Sequence, residues 1–341
     1  MKYFFWFLFF LSAKTFSQIP EKIFNPKIKS VQLFPYGNQL GYPIIRLGSG
    51  EQLELHFDDL DPSIKNYSYT FQLCNADWTP GVLSHFDFIK GFSQVRITNY
   101  RNSSVALTRY VHYQAMVPDR NCIPTRSGNY ILKVFLNSDT SKLIFTRRML
   151  VIQENAAIAA QVQQPYNGQY FKTHQKIQFK VNLNESIDVL NAQQQIKVVI
   201  LQNNRWDNAI TGIKPTFFNR KILEYNTESD ALFPGGKEWR WLDLRSFRLQ
   251  SDRVETAKYS NTGTEIFVRP DVDRSTQRLN FYRDNDGRFF LQPTESINPL
   301  WQSDYATVNF TYVPEGNRPY PAQDLFLFGQ LTDYNLDDTA K

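Results

Sequence analysis

Apolar and polar positions alternate at period two along much of the chain, the mark of strands with one buried face. Leu53, Leu55 and Phe57 alternate with Glu54 and His56, and Tyr67, Tyr69, Phe71 and Leu73 repeat the pattern. Residues 110–113, 131–136 and 143–153 read as further strands, and Ile177, Phe179, Val181 and Leu183 alternate again. Residues 196–202 form a nearly continuous apolar run, which predicts a strand buried on both faces. The stretch 231–248 opens with the turn signal Pro234-Gly235-Gly236. From there Trp239, Trp241, Asp243 and Arg245 fall on one side, and Glu238, Arg240, Leu242 and Leu244 on the other. The expectation is a strand with two tryptophans on one face and a carboxylate–guanidinium pair on the other, suited to a sandwich centre or a docking surface. Asp286-Gly287, between runs at 279–282 and 288–291, predicts a hairpin, Gly48-Ser49-Gly50 reads as another, and 304–313 supplies a last strand.

These runs recur at the spacing of immunoglobulin-type β-sandwiches. The expected fold is therefore all-β, with immunoglobulin-like or early-set-like sandwiches in tandem. A first sandwich is expected over 18–153 and a second over 154–316. Residues 154–164, rich in Ala and Gln, read as a short linker or first strand at the boundary. A Pro/Gly linker at 314–321 precedes 324–335, which reads as the first strand and turn of a third, early-set-like module over 317–341 that stays incomplete. Aromatic residues make up 15% of the chain, and aromatic and β-branched residues are what half-buried strands favour.

The first seventeen residues read as a signal peptide. Lys2 supplies a positive start, residues 3–11 an apolar stretch too short to span a bilayer, and Thr15 and Ser17 small residues before a cleavage ahead of Gln18. No cysteine follows that would take a lipid anchor, and no other stretch approaches a membrane span. Loss of Lys2 and Lys14 lowers the formal net charge from +5 to +3, and the remaining basic residues are scattered, so nucleic acid is not an expected partner. In an oxidising compartment Cys74 and Cys122 either form a disulfide or stay as separate thiols, one of them buried.

Catalytic and metal chemistry finds little to use. His56, His85, His112 and His174 lack metal-ligand spacing, and His56 and His112 read as packed strand residues. No Gly-x-Ser-x-Gly turn occurs. Asp58, Asp59, Asp61, Glu238 and Asp243 are candidate carboxylates for glycoside chemistry, each with a simpler turn or ion-pair reading. Asp284, Asp286 and Gly287 lack the later ligands of a calcium loop. The expectation is no catalytic residue, no cofactor and no metal. Trp78, Trp206, Trp239, Trp241 and Trp301 are core or exposed aromatic surface, and such surface binds proteins or sugars.

Several motifs resemble the plug protein family of the type 9 secretion system. They are Cys74-Asn75-Ala76-Asp77-Trp78, residues 110–113, Ser127-Gly128-Asn129-Tyr130 and the Asn203–Asn208 segment. Gly236-Lys237-Glu238-Trp239-Arg240, followed by Trp241, Asp243 and Arg245, is similar to a further family run, from which Lys237 and Trp239 depart. The resemblance spans about Gln32 to the end. It implies a non-enzymatic, exported protein on the periplasmic side of the outer membrane. Its implied partners are the outer-membrane translocon barrel, whose pore it caps, and associated secretion proteins. Trp206, Trp239, Arg240, Trp241 and Arg245 are the expected partner-binding residues. The alternative is an exported carbohydrate-binding β-sandwich.

Overall fold

The alternating runs form strands wherever a partner strand lies alongside. The computed structural model describes residues 21–274, 284–314, 316, 318, 321, 323–338 and 340–341. The leader at 1–17, the strand expected at 279–282 and part of the linker at 314–321 lie outside them.

The first sandwich is laid down by β1 (Lys22–Ile23), β2 (Ile28–Pro35), β3 (Ile44–Arg46), β4 (Leu53–Asp59) and β5 (Tyr67–Cys74). A single-turn helix, α1 (His85–Phe88), follows. Then come β6 (Ile89–Gly91), β7 (Val95–Ile97), β8 (Asn99–Asn102), β9 (Val111–Val117), β10 (Cys122–Pro124), β11 (Gly128–Leu136) and β12 (Leu143–Ile152). One sheet runs β1-β12-β11-β5-β7, with β3 parallel to β12, and the other runs β2-β4-β9-β8. Because β3 and β4 belong to different sheets, the Gly48–Gly50 turn carries the chain across the sandwich instead of closing a hairpin. Leu53, Leu55 and Phe57 meet Tyr67, Tyr69, Leu132, Val134 and Phe145 in one core. The Phe57 ring stacks on Tyr113 at 5.1 Å and meets Tyr67 edge-on at 5.2 Å.

The second body begins with the antiparallel pair β13 (Ala156–Gln163) and β14 (His174–Leu183). After α2 (Ala192–Gln195) come β15 (Val199–Ile200), β16 (Ile210–Thr211), β17 (Phe217–Asn219), β18 (Ile222–Tyr225) and β19 (Leu232–Pro234). The sheet order is β13-β14-β18-β17, with β19 also on β14. Phe179 and Tyr225, opposite each other in the register, stack at 4.4 Å over Val181, Leu183 and Leu223. A three-stranded sheet of β20 (Val254–Ser260), β21 (Gly263–Val268) and β23 (Ala306–Asn309) follows, and β22 (Asp271–Val272) pairs with β24 (Tyr312–Val313). The short α3 (Pro299–Gln302) precedes β23.

Four expectations are corrected here. Residues 235–249 form no strand: among the described residues no ladder lies beside them, and Trp239 is held by Phe328, Tyr334 and Asp284. The run 196–202 yields only the two-residue β15, and Val199 is exposed, since among the described residues no second layer covers that side. Asn285–Arg288 does turn, with Asp286 and Gly287 both at positive φ, but 288–291 is not a strand. It lies instead against the first sandwich, where Gln39 bonds Leu291 in both directions and the Arg288 guanidinium donates to the Leu40 carbonyl. Residues 324–335 likewise form no strand. Gly329 packs against the Gly287 carbonyl, a 3-10 turn runs Gln330–Thr332, and Gln330 N–H donates to that carbonyl at 2.8 Å.

The second body therefore covers the first sandwich on both outer faces. On one, Cys74, Trp78, Ile131 and Leu150 lie beneath Trp206. On the other, Ser303, Asp304 and Tyr305 bond Tyr110, Leu107, Thr108 and Asp58.

The 284–288 turn is a sensitive point of this arrangement. Gly287 sits at φ +74, and a Cβ there would come within 2.6 Å of the Trp239 ring, whereas Gly236, at φ +60, has nothing within 4 Å. Gly236→Ala is expected to cost about 1 kcal/mol, the left-handed penalty alone. Gly287→Ala is expected to cost about 2–3 kcal/mol, because the ring must also move. Urea unfolding of both variants checks this, and equal losses would contradict the close approach.

Candidate interaction surface and the junction behind it

The Asn75–Trp78 turn is closed by Trp78 N–H donating to the Asn75 carbonyl at 3.0 Å, with Asp77 accepting from Thr79. It holds Trp78 at φ +65, a region that costs a non-glycine residue energy. The ring is thereby aimed outward at Trp206, which it meets edge-on at 4.8 Å. The Arg148 guanidinium lies over both rings, 4.9 Å from Trp78 and 5.4 Å from Trp206, and pairs with Glu21 at 3.2 Å. Cation–π contact in a half-dry site suits arginine, whose flat guanidinium is weakly hydrated.

A second cluster adjoins the first. Arg205 forks onto Asp207 and lies 4.9 Å from the Phe328 ring, 5.6 Å from Trp239 and 5.7 Å from Tyr334. Trp239 stacks on Phe328 at 5.7 Å, and its N–H donates to Asp284. Tyr334 donates to the Asp286 carbonyl, and Asp333 pairs with Arg147 at 3.1 Å. Between these groups is a cleft of about 240 Å³, lined among others by Phe34, Tyr42, Arg147, Arg205 and Asp333. Arg147 reaches across to Asp333, Arg148 spans Trp78 and Trp206, and Arg205 is held by Asp207 within the second body, so the junction reads as a weld between the two bodies.

The structure divides the five expected partner-binding residues. Trp206 and Trp239 are half-buried in the junction. Arg240, Trp241 and Arg245 stand on the outside, Trp241 at 42% exposure. Arg240 pairs with Asp271 at 3.1 Å, and Arg245 takes both oxygens of Asp243, whose carboxyl it holds below its ordinary range. The carboxylate–guanidinium pairs are thus Arg240–Asp271 and Asp243–Arg245, and Glu238 pairs with neither. Cys74 and Cys122 are not bridged. Both are buried free thiols, Cys122 within the sandwich core and Cys74 on its outer face, so the sheet separates them. Burial pushes the Cys122 thiol up to about 12, which makes it inert.

Sequence reading missed one cluster. On the outer face of β4 and β9, Glu54 Oε2 meets His56 Nε2 at 2.8 Å, and His56 Nδ1 meets His112 Nε2 at 3.1 Å. The chain continues from His112 Nδ1 to Asp58 at 2.6 Å, from Asp58 to the Tyr305 hydroxyl at 2.5 Å, and on to Ser30 at 2.8 Å. His56 and His112 read in the sequence as packed strand residues, as they are, but nothing local shows that Glu54, Asp58 and Tyr305 join them in one chain. Burial lowers His56 to about 4, against the pull of Glu54, and burial raises Asp58. Of the carboxylates weighed for catalysis, Asp58 serves this chain and Asp59 holds Lys65 and Tyr67 at 2.7 Å each.

Residues 28–153 match the family model for the type 9 secretion system plug protein 1st domain. The motifs at 74–78, 110–113 and 127–130 lie inside that match, and those at 203–208 and 236–245 lie beyond it. No protein of curated function matches the chain. The crystal structure of a hypothetical protein from Parabacteroides merdae is similar over 94% of this chain and 80% of its own, with 28% identity and a TM-score of 0.88.

The buried histidine gives stability a defined pH slope. With its folded pKa near 4, His56 takes up its proton more readily in the unfolded chain, so stability falls as pH drops from about 6.5 towards 4. Asp58, raised in the fold, opposes this at the acid end. The loss of melting temperature between pH 7 and pH 5 is expected to shrink in His56→Gln. The same loss in both proteins would rule out His56 as its source.

Proposed function

We propose that this chain, whose first sandwich belongs to the plug protein family of the type 9 secretion system, is a non-enzymatic plug. It is exported behind its leader and caps the pore of the outer-membrane translocon barrel from the periplasmic side by protein contact. The match over residues 28–153 carries this reading. The geometry supports it. A pore wide enough for folded cargo leaks unless the body closing it keeps its shape, and clamping both faces of the first sandwich makes the two bodies one block. Among the described residues no helix is long and apolar enough to cross a membrane, which fits a cap that docks on the barrel.

The proposed contact is centred on Arg240, Trp241 and Arg245. Aromatic and arginine side chains dominate the energetics of protein contacts. The acid partners of both arginines keep the patch polar, so arriving cargo can displace the cap. Trp206 and Trp239 act behind it by fixing the junction. The same packing leaves Trp78, Trp206 and Trp239 engaged with protein rings, which weighs against a sugar platform.

A pull-down of the tagged protein from its own cells in mild detergent is expected to recover a very large outer-membrane barrel with secretion components. Recovery of the protein alone, while an intact barrel stays in the same extract, would overturn the plug reading. The folded variant Arg240→Ala/Trp241→Ala is expected to recover about tenfold less barrel or below. Full recovery would reject the surface and leave the plug reading standing.

A further inference from the structure

We infer that the free edge of β13 is a pairing surface for a second copy of this chain. β13 pairs with β14 alone, from Ala156 opposite Leu183 to Gln163 opposite Lys176. Among the described residues nothing pairs with its other edge, which leaves a row of backbone donors and acceptors open. Edge strands are ordinarily guarded by charge, proline or a bulge. The sequence Ala-Ala-Ile-Ala-Ala-Gln-Val-Gln carries no charge and no proline, and its register to β14 is unbroken.

The side chains agree with the backbone. Ile158, Ala160 and Val162 lie opposite Val181, Phe179 and Ile177, so they share the core-facing side of the sheet. Val181 and Phe179 are 5% exposed, whereas Ile158 is 68% and Val162 62% exposed. The apolar stripe therefore runs one strand beyond its cover.

A second copy completes it. Antiparallel pairing of β13 with itself needs a two-fold axis perpendicular to the sheet, which keeps like faces together. With the axis at Ala160, Ile158 lies opposite Val162 of the second copy on both sides, and the two Ala160 residues meet at the centre. The stripe then continues through both molecules. Charge selects neither an acidic nor a basic strand, because β13 has none. The nearby Lys176 and Lys180 of β14 are already paired with Glu228 and Glu224. An identical uncharged strand meets this edge without repulsion, and the alternation of Ile158, Ala160 and Val162 is its own complement.

Sedimentation equilibrium of the purified chain, from low to high micromolar concentration, tests the inference. A reversible dimer is expected in the wild type. Ala160→Lys puts two like charges directly opposite each other and is expected to be monomeric with an unchanged melting temperature. Ala160→Cys is expected to cross-link rapidly under copper phenanthroline, since directly opposed residues have Cα atoms about 4.5–5.5 Å apart, within disulfide range. Val82→Cys, on the 99% exposed Val82, is the control for random collision. A wild type monomeric throughout, a dimer that survives Ala160→Lys, or cross-linking of Ala160→Cys no faster than the control would each overturn the inference.

Discussion

The structure depends on the need to keep both outer faces of the first sandwich from water. A free-standing sandwich presents polar side chains outward, and this one does so only in part. One outer face carries Cys74, Ile131 and Leu150 beside Trp78, and the other carries His56, Asp58 and His112, each nearly fully buried. Apolar surface on the first gains by leaving water, at about 25 cal/mol per Å². The polar groups on the second tolerate burial only because each finds a partner, ending at Tyr305 and Ser30. Both covers come from the second body, so neither body reaches its observed surface alone.

That dependence explains what the sequence disclosed. Strands β4, β5, β11, β12 and β14 were legible because their alternation records the one face turned to an apolar core, even where the second body later buries the other face as well. The stretch around Trp239 alternates equally well yet forms no strand. Its apolar side is met by Phe328 and Tyr334, from a segment some ninety residues on, and among the described residues no ladder lies beside it. Residues 324–335 misled for the same reason, since their aromatic residues serve the junction. Period two reports which side of a segment is covered, and it is silent about what covers it.

The candidate surface was half legible. Tryptophan and arginine drew the reading to residues 206–245 by residue type. Their division between junction and exterior turned on where Arg205, Phe328 and Tyr334 came to rest, which no local pattern encodes. The two histidines read as packed, but the bond between them was illegible for a plainer reason. His56 and His112 are distant in sequence and polar, and only Tyr305 and Trp301 reveal that their face is closed.

The distance along the chain between the sandwich and its covers also orders events in time. Ser30 meets Tyr305 across 275 residues, and Gln39 meets Leu291 across 252. Contacts of such separation require large loops to close first and slow the approach to the native state. A chain emerging from its amino terminus completes the β1–β12 sandwich long before residues 284–335 exist to seal it. In that interval the imidazoles of His56 and His112 lack the cover that Trp301 and Tyr305 later supply. The face that the late segment covers is therefore the last to leave water, and surface exposed in this way during folding is where larger proteins tend to associate.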